Sequence, residues 1–394
     1  MLTFLRNYSI INFDKNTKLE YKNQIVRIHS LTQCFLESNQ TPKDISNQLK
    51  EIANIFIKDL KDCESKELQD GKYWLNHFYK IYEDKEKKQL FLENFLGDLS
   101  LISNLFKTKG IPYKALEVIR YCYEKSLYMN LHIKAELANC LCDMMQLDEA
   151  CKLYREVEQA HLKKLGSTNP IYLITKNNLA LCLKEMNQLN EACKLFREVE
   201  QAKLEVLGST HPNYLITKNN LALCLKEMNQ FNEACKLFRE VERAELEVLG
   251  STHPHYLATK NNLAGCLQEM NQLVEACNLY REVEQALLEV LGPTHPHYLI
   301  TKNNLALCLQ EMNKLDEAYK LFREVERAQL EVLGPTHPHY LITKNNLALC
   351  LQKMNKLNKA CKLFREVEQA QLEVLGSKHP HYLTTKYNLA SCLK

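Results

Sequence analysis

Downstream of about residue 130, apolar residues recur at helical spacing and are interrupted at regular places by short polar breaks. In the stretch Asn213 to Met228, Leu215, Leu221, Leu225 and Met228 stand among strong helix formers, and Pro212 suits a first helical turn, so a helix is predicted there. Asn229 and Gln230 break the pattern, and Asn is the residue other than Gly that best tolerates a left-handed backbone. A second helix is predicted from about Phe231 to Leu249, with Ala234, Leu237, Phe238, Val241, Ala244 and Val248 at helical spacing and Gly250 as the stop.

The same two-helix pattern returns every 42 residues. NNLALCL begins at Asn177, Asn219, Asn303 and Asn345, and NNLAGCL begins at Asn261. A divergent copy lies upstream at Ala135 to Leu141 and a partial one runs from about His379 to Lys394, giving six complete units and a half. Composition agrees with helices joined by short turns, since only 10 Gly and 10 Pro occur in 394 residues. The 51 basic and 48 acidic residues nearly cancel to a net charge of +3, so no broad field points to nucleic acid or a membrane surface. No run approaches the roughly 20 apolar residues that a membrane span needs. A cytoplasmic protein with no cofactor is expected.

Leu179, Ala180, Leu183, Ala192 and Phe196 resemble the signature positions of a tetratricopeptide repeat. The period, the TKNNLA phrase at Thr175 to Ala180 and the LGxxHP phrase at Leu207 to Pro212 are similar to the repeats of kinesin light chains and related proteins. The resemblance covers about residues 130–394 and implies an all-α fold, a right-handed superhelical solenoid of antiparallel helix pairs. Residues 95–129, with Gly110, Tyr113, Ala115 and Leu116, look like a degenerate repeat or N-terminal cap. Residues 1–94 read as a separate helical region, with a helix over Ile45 to Leu60 and an aromatic cluster of Tyr73, Trp74, Phe78, Tyr79 and Tyr82. No sustained heptads are present, whereas kinesin light chains join their motor through an N-terminal coiled coil.

Because the units stack in register, a residue repeated at the period becomes a line along the array. Asn178, Asn220, Asn262, Asn304, Asn346 and Asn388 match the first-helix position that, in related arrays, faces the concave groove and holds a peptide backbone. A primary amide both donates and accepts, so it can pair with an extended chain without reading its side chains. The preceding column, Asn177, Asn219, Asn261, Asn303 and Asn345, lies about 100° around the helix and either shares the groove or ties neighbouring helices. Lys134, Lys176, Lys218, Lys260, Lys302, Lys344 and Lys386 form a third line, read as a solvated stripe that could also attract an acidic ligand. On the second helix, Lys194 and Glu198 are spaced as an i,i+4 ion pair on a solvated face.

The middle unit breaks the pattern. Ile and Leu stand seven residues apart at Ile174/Leu181, Ile216/Leu223, Ile300/Leu307 and Ile342/Leu349, but the middle pair is Ala258 and Gly265. Two large aliphatic groups are thus missing from one helical face, which predicts a pocket suited to a bulky apolar side chain of the ligand.

Two other columns invite chemistry and have simpler readings. The pairs around Pro254, Pro296, Pro338 and Pro380, such as His253 and His255, offer imidazoles, but no carboxylate or Cys completes a metal site nearby, so turn chemistry is expected. Sixteen Cys fall largely into two columns, Cys140 to Cys392 and Cys151 to Cys361, with Tyr319 replacing one member of the second; they read as small buried hydrophobes in a reducing compartment.

No nucleophile, phosphate loop or metal cluster emerges, so no catalytic or metal-binding residue is assigned. The expected function is a protein-interaction scaffold or adaptor that binds linear peptide segments of other proteins, with no enzymatic activity. Each unit advances roughly 16–20 Å, the length of about five or six extended residues. Self-assembly through the C-terminal half repeat is the alternative.

Overall fold

In the computed structural model, the described residues are Ser103, 112–125, 130–377 and 380–393. They contain fourteen helices and no strand. The expectations for residues 1–94, and those for 95–129 apart from Ser103 and the helix beginning at Pro112, lie outside them. The chain divides into two compact units, Met1–Ala160 and His161–Lys394.

In the first unit, α1 (Pro112–Lys125) packs on α2 (Leu131–Asp143), and α3 (Leu147–Leu165) follows and runs across the division between the units. Ala115, Val118 and Ile119 of α1 are fully buried, as are Leu137, Ala138, Cys140 and Leu141 of α2 to within 1%. Tyr113 is 57% exposed, whereas Ala115 and Leu116 face a core. Arg120 reaches Glu149 with two hydrogen bonds of 2.8 and 2.9 Å, tying α1 to α3.

The second unit alternates first helices of 16 residues with second helices of 19: α4 (Pro170–Glu185), α5 (Leu189–Leu207), α6 (Pro212–Glu227), α7 (Phe231–Leu249), α8 (Pro254–Glu269), α9 (Leu273–Leu291), α10 (Pro296–Glu311), α11 (Leu315–Leu333), α12 (Pro338–Lys353) and α13 (Leu357–Leu375). A last first helix, α14 (Pro380–Cys392), follows. Each helix packs on the next, and successive first helices also touch one another. Successive second helices lie further apart, so the first helices form the tighter, inner layer of the stack.

Local chemistry sets these boundaries. His211, His253, His295 and His337 cap the first helices, each ring Nδ1 accepting the backbone N–H two residues on, at 3.1–3.2 Å. Pro follows directly at the first helical position, where its missing N–H costs nothing. Asn187, Asn229, Asn271, Asn313 and Asn355 take φ of 59–60° in the turns between paired helices, as the sequence reading requires. Gly250 closes α7 with φ 86°, ψ 167°, a conformation open essentially to Gly alone.

The core repeats with the sequence. Ala222 and Ala234 are fully buried, and their counterparts in the other complete repeats are equally so, which lets paired helices approach closely. Phe196, Phe238, Phe322 and Phe364 fill the space between helices at 0% exposure, with Tyr280 in the same place at 2%. A further cluster in each repeat joins the start of the first helix to the middle of the second, as Tyr214 and Leu215 meet Val241.

Candidate functional site: the first-helix groove

The face that the first helices leave uncovered carries the Asn and Lys columns and the Ile/Leu positions. Ile174, Ile216 and Ile300 are 48%, 38% and 36% exposed, large for aliphatic groups in an otherwise well-covered helix. Leu223 and Leu307, one face further along the same helices, are half-buried. The inner side of the second unit is therefore a continuous, partly apolar floor.

The two Asn columns part company here. In the first, the amide oxygen meets the buried Thr hydroxyl of the following repeat: Thr217 donates to Asn177 at 3.2 Å, Thr301 to Asn261 at 3.2 Å, Thr343 to Asn303 at 3.3 Å and Thr385 to Asn345 at 3.3 Å. Thr259 and Asn219 lie at the limit, 3.5 Å. This column bonds within the array and joins one first helix to the next. In the second column, Asn220, Asn262, Asn304 and Asn346 are half-buried and hydrogen-bond to nothing among the described residues. Asn178 differs in having an interaction of its own. Four amides in register on the first helices thus keep both donor and acceptor open.

The Lys column is not a solvated stripe. Lys218 Nζ sits 2.7 Å from a Glu240 carboxylate oxygen on the partner helix and 3.0 Å from the hydroxyl of Tyr214, one turn back, with the ammonium 5.3 Å from the ring centroid. Lys176, Lys260, Lys302 and Lys344 repeat the ion pair at 2.6–2.8 Å, with side chains 12–14% exposed. Burial alone would depress these ammonium groups, but the hydrogen bonds to Glu and Tyr outweigh it and hold them above the ordinary lysine range. Their charge is spent inside each repeat, and they clamp its two helices together. The anticipated Lys194–Glu198 pair gives way for the same reason, because Glu198 reaches across to Lys176 at 2.6 Å and Arg197 pairs with Glu233 of the next repeat at 2.9 Å.

At Ala258 and Gly265 the gap exists, but its lining is polar. A Cβ added to Gly265 would stand 2.9 Å from Lys226 Nζ and 3.2 Å from the Tyr280 hydroxyl. Lys226 arrives from the preceding first helix, and Tyr280 stands where four other repeats carry Phe. The space left by the missing Leu is therefore occupied by an ammonium and a phenol, which corrects the expectation of an apolar pocket.

A buried polar column on the second helices escapes the sequence reading. His161, Lys203, Glu245, Gln329 and Gln371 occupy one position of the repeat, all at most 9% exposed, and Leu287 fills it once. His161 Nδ1 and Lys203 Nζ contact the Thr hydroxyl of the following first helix at 3.0 and 2.8 Å. Burial brings the Lys203 ammonium down to about 8 and pushes the Glu245 carboxyl up, and one carboxylate oxygen of Glu245 has no partner. Where Leu287 stands, the clusters of two repeats fuse into one. The members differ in type, so no shared motif marks them; the signal was a polar residue four places after the buried Val of every second helix but the one carrying Val283.

The Cys columns meet across repeat junctions. The first-column thiols donate weakly to backbone carbonyls at the start of the preceding second helix, as Cys266 does to Phe231 at 3.4 Å. They also face second-column thiols, as Cys392 faces Cys361 at 2.6 Å. Burial pushes Cys224 up to about 11 and Cys308 up to about 12. None of the fourteen Cys described is in a disulfide. Among the described residues no helix is long and apolar enough to cross a membrane.

Comparison with known proteins places this geometry. Among solved structures, nearly identical TPR-like repeats from a Podosopora anserina kinesin-light-chain-type protein share 28% identity, covering 53% of this chain and 99% of that one, with a TM-score of 0.47. The Rap conjugation gene regulator of plasmid pLS20, in complex with the Phr* peptide, shares 15% identity over 91% of this chain and 98% of its own, with a TM-score of 0.53. A Rap protein complexed with competence and sporulation factor shares 11% over 95% and 98%, with a TM-score of 0.52. These two Rap likenesses concern the fold. No curated protein matches the sequence. The family model described as tetratricopeptide repeat matches residues 129–205, 173–247, 255–331 and 298–368, more than half of the chain. With its paired helices, 42-residue period and small-residue crossings, the chain belongs to the tetratricopeptide repeat family.

Proposed function

We infer that this chain is a protein-interaction scaffold that holds extended peptide segments of other proteins along the inner face of its first helices, without chemistry of its own. The supporting observation is the line Asn220, Asn262, Asn304 and Asn346, half-buried amides in register whose hydrogen bonds the protein leaves unmade. Leaving a partly desolvated amide unpaired has a cost, and a ligand backbone C=O and N–H would satisfy both of its functions at once. The Ile and Leu beside Asn220, Asn304 and Asn346 would take the alternate side chains of an extended ligand. In the two Rap complexes the same general fold accommodates its binding partner. A cytoplasmic setting belongs to this reading, since buried thiols outside any disulfide suit a reducing compartment.

The experiment is selection of a displayed random peptide library on the full chain, followed by affinity measurement of the selected peptides. The triple variant Asn220→Ala, Asn262→Ala, Asn304→Ala should keep its helicity and lose at least tenfold in affinity, about 1.4 kcal/mol. Undiminished binding to the folded triple variant would exclude the groove amides as the site.

A further inference from the structure

The gap in the middle repeat is a built polar site, and it rests on the groove reading just given. Tyr occupies the central aromatic column twice among the described residues, at Tyr154 and Tyr280. Each time, the large aliphatic residue that faces it in other repeats has also changed: Asn139 stands opposite Tyr154, and Gly265 opposite Tyr280. In the first case the extra hydroxyl is answered, because Tyr154 Oη donates to the Asn139 amide oxygen. In the second it is not. Tyr280 is 2% exposed, its hydroxyl points at the space above Gly265, and it makes no hydrogen bond among the described residues.

Lys226 is the other unanswered group. Its counterpart Lys184 pairs with Glu227 of the following repeat at 3.0 Å, and Gln268, one repeat further on, bonds Glu311 at 2.8 Å. By the same register Lys226 would meet Glu269, yet it makes no ion pair or hydrogen bond among the described residues, and its Nζ lies in the Gly265 gap instead. An ammonium and a phenolic O–H therefore converge on one point, each within 3.2 Å of where a Cβ would be. Ala258, exposed on the same face, keeps the approach open where other repeats have Ile.

We propose that this notch is the specificity position of the groove and takes the carboxylate of an Asp or Glu side chain from the bound peptide, paired with Lys226 and hydrogen-bonded by Tyr280. A carboxylate has acceptors for both donors and cancels the charge. An apolar side chain would bury the hydroxyl without a partner and desolvate the ammonium, and both effects are unfavourable. An amide side chain would accept one of the two bonds and leave the charge unbalanced.

The test uses the full chain, the variant Lys226→Met, and the double variant Gly265→Leu with Tyr280→Phe, which restores the residues that neighbouring repeats already fold with. Peptides selected on the natural chain should share an acidic residue at one fixed position. Changing that residue to its amide should weaken binding tenfold or more to the natural chain, and less than twofold to either folded variant. If selected peptides carry no fixed acidic position, or the amide change weakens all three chains equally, the notch is not a carboxylate site and the groove reading stands. If the chain selects no peptide at all, the groove reading falls and the notch with it.

Discussion

Asn261 and Asn262 are neighbours in sequence with separate tasks, and substitution should separate them. Asn261→Ala removes the acceptor for Thr301, which is 2% exposed and bonded at 3.2 Å, so about 1–2 kcal/mol of stability should be lost. Asn262→Ala removes nothing the protein uses and should fall within about 0.5 kcal/mol of the natural chain, with urea unfolding as the measure for both. The buried polar column gives a prediction with a pH signature. The Glu245 carboxyl is raised by burial, so its ionised form is what folding disfavours. Below the ordinary glutamate pKa the group is neutral in both states and the penalty is absent; it appears as pH rises through the raised value. Glu245→Leu, copying Leu287, should therefore stabilise the chain by about 1–3 kcal/mol at pH 7, with the gain shrinking towards pH 4. Lys203 carries the opposite sign. Its pKa of about 8 lies below the unfolded value, so this group's own contribution to stability rises as pH climbs from 8 towards 10, while buried thiols such as Cys224 and Cys308, whose pKa is raised, pull the other way. The difference in thermal midpoint between the natural chain and Lys203→Met isolates the lysine from the thiols, and a difference that stays constant from about pH 8 to 10 would contradict the assignment.

At the scale of the helices, two glycines with opposite roles make the clearest contrast. Gly250 ends α7 at φ 86° with nothing near its missing Cβ, so Gly250→Ala should cost about 1–3 kcal/mol through backbone strain alone. Gly265 lies inside α8, where Ala is the better helix former by about 1 kcal/mol, and its Cβ would meet the far end of a flexible lysine, which can move aside, and the Tyr280 hydroxyl at 3.2 Å, which need give only slightly. Gly265→Ala should therefore be neutral or stabilising by thermal denaturation while narrowing the notch. Helix boundaries were legible in the sequence because each rests on a local signal: Pro212 at the start, Asn229 in the turn, Gly250 at the end. Contacts between helices were not. The Thr217–Asn177 bond joins residues 40 apart and the Lys218–Glu240 pair joins two helices across a turn, so neither partner announces the other in a linear pattern. The Gly265 gap was legible as an absence, yet its lining depended on Lys226 and Tyr280, which a comparison confined to the Ile/Leu positions does not reach.

For the array of the second unit as a whole, near-identity of the repeats makes each one a removable part. The phrase from Thr252 to Pro254 recurs from Thr294 to Pro296, so deleting residues 254–295 joins His253 to Pro296 and recreates the natural cap, with His253 standing before Pro296 as it now stands before Pro254. The new junction would set α7 against α10. Thr301 would meet Asn219, the partner Thr259 has now, and Cys308 would meet Cys235, the partner of Cys266. The deletion also brings Lys226 opposite Leu307 in place of Gly265, and Phe322 replaces Tyr280. Stability in such arrays is roughly a sum of repeat and neighbour terms, so the shortened chain should fold with unchanged helicity per residue. Its urea m-value should fall in proportion to the surface one repeat buries. Peptide selection should still succeed on the remaining Asn220, Asn304 and Asn346, but with the acidic position gone. If the shortened chain folds and still prefers the carboxylate, specificity lies elsewhere in the groove, since this deletion removes Gly265 and Tyr280 together and leaves every other first helix intact.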